Sequence, residues 1–330
     1  MVPLKHLLSI LLLVVGLVGC GASPEPSPSS SELTKVTLAL NWFPEAEHGG
    51  YYAALVNGYF KEEGLDVEIQ PGGPGVPIIQ NVATKRVMFG IANADQVLVG
   101  RNEQADVVAL LAPLQMSPRC IMVHKKSGIR RLEDLKDMTL AAGSGKAYLE
   151  YLKTRVNLEN VQLVPYAGSS ALFLKNENFA QQGYVFSEPF VARREGADPH
   201  VLMVSEIGFN PYTSLLVTHG ETISGQEELV AKVVRASRRG WQDYLANPKT
   251  VNAYIHKVNP EMDMESLQFG VEAIKPLCLP GNMSPTELGV MTLDRWQALS
   301  DQLKEIDWLD AQLDPAMAFE LRFIADVPGS

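Results

Sequence analysis

From Lys35 to about Gly225, short β-branched runs alternate with segments of helical spacing. This alternation is what most constrains the fold, because strands separated by helices form sheets covered by helices. Val36, Leu38 and Leu40 alternate as a first strand, and further strands fall at 65–69, 87–91 and 106–111. Helices are predicted over 50–56, closed by Asn57-Gly58, and over 94–100. A second set of units begins near 120–123. It continues with a strand at 139–142, a helix at 146–155, strands at 161–165, 183–186 and 201–204, and a return strand at 212–217. After Gly225 the spacing is almost wholly helical, over 228–245, 266–274 and 293–303. The expected architecture is α/β with two lobes. Lobe I is built from 35–119 and 218–330 and lobe II from 120–217, with crossings near 119–123 and 214–218. A length of 330 residues agrees with two domains at roughly 150 residues each. A cleft between lobes is the expected place for a small ligand.

Charge narrows the function. Lys and Arg number 28 against 38 Asp and Glu, a net charge of −10. Without a basic run, binding to a phosphate backbone is not expected, so nucleic acid is excluded as a partner. The longest apolar stretch lies at the N-terminus. Residues 1–19 show a basic start (Lys5, His6), an apolar core over 7–18 and the ending Leu17-Val18-Gly19-Cys20. These are the parts of a secretory signal, too short for a membrane span. The ending resembles a bacterial lipobox, which implies lipidation of Cys20. Residues 20–34 are rich in Ser and Pro and are expected to serve as a tether. The folded part is therefore expected outside the cytoplasm, held at the bacterial cell membrane by an N-terminal lipid. With Cys20 lipidated, only Cys120 and Cys278 remain, too few for a disulfide framework or a thiolate metal site. Whether those two pair is left open.

No His-Glu-x-x-His, Gly-x-Ser-x-Gly or Cys-x-x-Cys motif is present. Gly143-Ser144-Gly145-Lys146 follows a strand, but Leu140 stands where a phosphate loop has its first Gly and Ala147 where it has Ser or Thr. What remains is a Gly turn at a helix start, offering N–H groups to a polar ligand atom, or a plain strand-to-helix turn. The densest polar and aromatic cluster is 41–52, with Asn41, Trp42, Phe43, Glu45, His48 and Tyr51 at a strand end. Open α/β sheets bind ligands at such ends. Aromatic faces beside carboxylates and an amide suit a flat, hydrogen-bonding heterocycle; the competing reading packs Trp42 and Phe43 into the lobe core. Asp95 and Gln96, Ser187 and Glu188 also follow strand ends, where Asp95 and Glu188 serve either as ligand carboxylates or as first-turn helix acids. Tyr212 completes the candidate ligand-binding set. No catalytic or metal-ligating set emerges, and no cofactor is expected.

Leu40-Asn41-Trp42, the block from Gly58 to Val67 (Gly-Tyr-Phe-Lys-Glu-Glu-Gly-Leu-Asp-Val), Phe89-Gly90-Ile91 and Leu132-Glu133-Asp134-Leu135-Lys136 resemble a family of solute-binding proteins related to thiamine pyrimidine synthase. The same family contains binders of formylaminopyrimidine, alkanesulfonates and taurine. The resemblance covers about 35–254. It implies a two-lobed periplasmic-binding-protein-like fold of type II with two crossing hinge strands, acting as a monomer with an ABC permease and its ATPase. The enzyme branch uses a Lys, a His and a Cys-rich run; those positions fall on Ala92, Gln96 and 208–212, which supply none of these groups. A binder, not an enzyme, is expected. Trp42, Tyr51, Tyr52, Phe186 and Tyr212 with Glu45, Asp95 and Glu188 favour an amino-substituted ring over an anion. A thiamine pyrimidine precursor is the first expectation. Riboflavin, a sulfonate, a synthase activity and a tethered sensor are the alternatives.

Overall fold

The computed structural model describes residues 32–324. The signal sequence, Cys20 and nearly all of the tether lie outside the described residues. The strands are β1 (Thr34–Ala39), β2 (Leu65–Gln70), β3 (Phe89–Ala92), β4 (Val107–Leu111), β5 (Arg119–His124), β6 (Thr139–Ala142), β7 (Gln162–Pro165), β8 (Phe179–Tyr184), β9 (Pro199–Met203) and β10 (Leu215–His219). They form two five-stranded sheets, in the orders β2-β1-β3-β10-β4 and β7-β6-β8-β5-β9. In the first sheet β1 runs parallel to β2 and β3, while β10 is antiparallel to β3 and β4. In the second sheet β6 is parallel to β7 and β8, and β5 is antiparallel to β8 and β9.

Burial follows the sequence pattern. Every residue of β4 is buried, as expected for an uninterrupted Val/Ala/Leu run covered on both faces. β2, at an edge, buries Leu65 and Val67 and exposes Asp66 and Glu68. Two positions differ from expectation. The strand expected at 183–186 ends at Tyr184, because Ser187 and Pro189 begin a helix over Glu188–Arg194. Residues 215–217, expected in the second lobe, pair instead with β3 and β4 in the first sheet. Gln226 separates the helix Gly220–Gly225 from the helix Glu227–Ala246, which buries Val230, Val233, Val234, Trp241 and Tyr244 on one stripe. That stripe packs on the helix Gly49–Val56 so closely that a Cβ on Gly240 would sit 2.2 Å from the Gly50 carbonyl oxygen.

The chain crosses between the sheets at 112–118 and 204–214, and the two crossings touch at an antiparallel bridge between Leu114 and Thr213. The helix Leu293–Glu305 is braced against both. Arg295 donates through Nη2 to the carbonyl oxygens of Gln115 (2.5 Å) and Asn210 (3.0 Å), and through Nη1 to Gln115 Oε1 (3.2 Å). Its guanidinium lies 3.8 Å from the Tyr212 ring centroid. The two crossings are thus tied to the C-terminal part of the chain by a part-buried arginine. Among the described residues no helix is long and apolar enough to cross a membrane.

Candidate functional site

The carboxyl ends of β1 and β3 carry residues 41–48 and 93–95, and those of β6 and β8 carry 143–146 and 184–188. β10 and β5 run antiparallel to β3 and β8, so Ser214, just ahead of β10, and Arg119, at the start of β5, reach the same edges. The edges meet: Asn93 Nδ2 donates to the Tyr184 hydroxyl at 3.3 Å.

The face contributed by the first sheet is a closed hydrogen-bond network. The Glu45 amide donates to His48 Nδ1 (3.4 Å), so the ring proton resides on Nε2, which donates to Asn41 Oδ1 (2.9 Å). Asn41 Nδ2 donates in turn to Glu47 Oε1 (3.4 Å), and Ser214 Oγ donates to Glu47 Oε2 (3.2 Å). Ser214 is held on all sides: its carbonyl accepts from the Tyr51 hydroxyl (2.8 Å) and its amide donates to Asn93 Oδ1 (3.3 Å). It also has a φ of +57°, a left-handed conformation that costs a non-glycine residue about 1–3 kcal/mol. Glu45, Glu47 and His48 are all buried. Burial pushes the His48 imidazole down to about 3, so the ring is neutral. Burial pushes the Glu47 carboxyl up to about 7, against the hydrogen bond from Ser214 and the positive charge of Arg119. Glu45 is held well above the carboxylate range by burial and by the charges of Glu47 and Glu188. In front of this network Trp42 is half-buried and Phe43 is 47% exposed, with their rings edge to face at 5.5 Å. These two are aromatic surface open to a ligand; they do not plug the core.

The second-sheet face is organised around Arg119. Its guanidinium carbon lies 4.2 Å from the Tyr184 ring centroid and 4.9 Å from that of Tyr148. Glu188 accepts from the Tyr184 amide (2.7 Å) and the Tyr166 hydroxyl (2.9 Å), which fixes its carboxylate at the start of its helix. Gln182 Oε1 accepts from the Gly143 amide (2.6 Å) and from the Tyr148 hydroxyl.

The candidate residues therefore separate. Asn41, Trp42, Phe43, Glu45, His48, Asp95 and Glu188 follow the carboxyl ends of β1, β3 and β8, at the edges that meet at Asn93 and Tyr184. Ser187 caps the helix that carries Glu188. Two others are turned away. Tyr51 is a fully buried prop beneath Ser214, edge-on to Trp241, because its hydroxyl finds the Ser214 carbonyl inside the lobe. Tyr212 is buried under the C-terminal helix, where its hydroxyl accepts from the Thr292 amide (3.0 Å) and Arg295 covers its ring. Gln96 closes a capping box by accepting from the Asn93 amide (2.9 Å). The Gly143 amide, read from sequence either as a donor for a ligand atom or as part of a plain turn, is taken by Gln182, while Ser144 and Gly145 are exposed. The residues not singled out from sequence are Arg119, Glu47, Tyr148, Tyr166, Tyr184 and Ser214. Arg119 sits where the first crossing was placed, so its position at the cleft edge was a usable signal. Tyr148 and Tyr166 carried none, since a helix face and a loop tyrosine read as ordinary packing.

Synthase chemistry has no groups here. Ala92 is buried at the end of β3, Gln96 is committed to its cap, and 208–212 holds no Cys. Among the described residues no group of three or more His, Cys, Asp or Glu is placed to hold a metal ion.

Known proteins agree with this architecture. The riboflavin-binding protein RibY of Chloroflexus aurantiacus is 24% identical over 98% of this chain and 99% of its own. The formylaminopyrimidine-binding protein of Halalkalibacterium halodurans is 24% identical over 95% and 97%. Named synthases also match, over less of the chain or at lower identity. The crystal structure of the periplasmic aliphatic sulphonate binding protein SsuA from Escherichia coli superposes with a TM-score of 0.66 at 12% identity, covering 86% of this chain and 91% of that one. That likeness establishes the fold, a type II periplasmic-binding architecture. A family model described as NMT1/THI5 like matches residues 45–251, more than half of the sequence, and the chain belongs to the NMT1/THI5-like family.

Proposed function

We propose that the protein is the extracytoplasmic solute-binding component of an ABC importer, and that its cleft takes a small planar nitrogen heterocycle. The observation that carries this reading is the pairing of open aromatic surface, Trp42 and Phe43, with buried carboxyls whose neutral forms persist toward neutral pH. A carboxylic acid both donates and accepts, which matches the alternating donors and acceptors of an amino-substituted ring. An excess of carboxyls opposes an isolated anion. Ligand contacts to both lobes would favour the closed form, so binding and closure are one equilibrium. The relatives named for formylaminopyrimidine and riboflavin support rings of this kind.

Export by residues 1–19, a lipid on Cys20 and a tether over 20–34 complete the proposal. They would hold a monomeric receptor beside its permease and ATPase. Cys20→Ala is expected to release the protein from the membrane fraction; retention there would refute the lipid anchor.

A second reading has one observation in its favour. Arg119 is a cation that makes no ion pair among the described residues, which suits a sulfonate or another anion. Thermal unfolding in the presence of pyrimidines, flavins and alkanesulfonates separates the two, because a ligand at a hundred times its Kd stabilises by about 2.7 kcal/mol. The heterocycle reading predicts a rise in Tm with a pyrimidine or a flavin and none with a sulfonate. The opposite pattern rejects it.

A further inference from the structure

We infer that Arg119 and Asp95 together read one edge of the ligand, and that this edge carries a carbonyl beside an N–H, as in a lactam or imide ring. The inference rests on the heterocycle reading above and specifies its chemistry. Arg119 belongs to the second sheet. The rings of Tyr148 and Tyr184 lie 4.9 and 4.2 Å from its guanidinium carbon and hold the cation beside them. Among the described residues its side chain makes no ion pair or hydrogen bond. The acidic groups nearby act on it only through their charge: Glu188 accepts from the Tyr184 amide and Tyr166, and Glu47 from Ser214 and Asn41, and neither is hydrogen-bonded to Arg119.

Asp95 stands on the first-sheet side, in the opening turn of the helix Ala94–Asn102. Its Oδ1 is buried and has no hydrogen-bond partner among the described residues. Burial raises its carboxyl above the ordinary value, against the Gln96 amide and the positive charges of Arg119 and Lys146. Neither cation forms an ion pair with it. One lobe thus presents donors without an acceptor and the other an acceptor without a donor, each costly to leave unmatched.

Three ligand types satisfy this pair unequally. An anion would match Arg119 and be repelled by Asp95. An amino ring without a carbonyl would match Asp95 and leave Arg119 bare. A neutral edge with C=O and N–H side by side gives Arg119 its acceptor and Asp95 its donor. Because the two residues stand on opposite lobes, the same two bonds would hold the cleft shut.

The test uses the full chain and three probes followed by fluorescence or calorimetry. Lumichrome has an imide edge, 1,3-dimethyllumichrome has no ring N–H, and 4-amino-2-methylpyrimidine lacks the carbonyl. Lumichrome is expected to bind, and N-methylation to weaken it about tenfold or more. Arg119→Gln should weaken lumichrome by about 10- to 100-fold and leave the aminopyrimidine unchanged. Asp95→Ala should abolish the discrimination between lumichrome and its dimethyl derivative, an effect that a merely structural aspartate would not produce. Equal affinity for lumichrome and 1,3-dimethyllumichrome overturns the inference, as does tight aminopyrimidine binding with lumichrome ignored, while the heterocycle reading survives both. Binding of none of the three overturns that reading and this inference with it. Should Arg119→Gln fail to fold, the methyl comparison on the unaltered chain decides alone.

Discussion

On the first-sheet side of the cleft, Asn41, Glu47, His48, Asn93 and Ser214 satisfy one another through side-chain and backbone hydrogen bonds. On the second-sheet side, the Arg119 guanidinium lies beside two tyrosine rings and makes no hydrogen bond or ion pair among the described residues. A satisfied network costs nothing to keep when the cleft is empty and gives little to a newcomer. An unmatched guanidinium is the reverse: it is costly when dry and repaid when a ligand arrives. The first face is therefore suited to stacking, through Trp42 and Phe43, with one unmatched acceptor at Asp95 Oδ1, and the second to supplying the unmatched donors of Arg119. The buried carboxyls of the first face add a dependence on pH.

Four changes break or sharpen this division, in order of expected size. Arg295→Ala removes three hydrogen bonds that tie both crossings to the C-terminal helix. It should lower stability in urea by about 2–4 kcal/mol, and a loss below about 1 kcal/mol would mean the hinge is braced elsewhere. Trp42→Ala should weaken the heterocycle about thirtyfold or more while leaving far-UV CD intact; unchanged affinity would remove stacking from the first face.

Glu47→Gln probes the titratable network. The folded-state carboxyl is raised to about 7 from an ordinary 4.5, so the neutral form's contribution to stability is complete below pH 4.5 and is lost as pH rises toward 7. The variant should therefore gain Tm relative to wild type across that window and show no further change above it. A constant difference at all pH values would show that Glu47 is not buried neutral. Arg194→Ala removes an ion pair with Asp263 whose members are 40% and 42% exposed, one of the contacts joining the lobes. It should change stability by less than about 1 kcal/mol. A larger change in ligand affinity than in Tm would mark that pair as a closure latch.

The layout of the two sheets was legible because it rests on patterns that need no partner: β-branched runs, Asn57-Gly58, and the stripe of Val230, Val233 and Trp241. The site was legible only where chemistry follows a strand directly, as at 41–48, Asp95 and Glu188. Tyr51 and Tyr212 were misplaced because an aromatic beside a polar cluster looks the same whether its hydroxyl meets solvent or, as here, the Ser214 carbonyl and the Thr292 amide. Arg119 passed unnoticed for a related reason. A single arginine at the start of a strand is unremarkable until antiparallel pairing with β8 sets it beside Tyr184. Long-range pairing, not local pattern, decides which side chains share a cleft.

The central claim is that this cleft binds a neutral nitrogen heterocycle through aromatic stacking and buried carboxyls. The most direct measurement is a calorimetric titration of the protein with lumichrome, 4-amino-2-methylpyrimidine and ethanesulfonate under one set of conditions. Saturable heat with at least one of the rings and none with the sulfonate is the predicted result. Saturable heat with ethanesulfonate alone would contradict it.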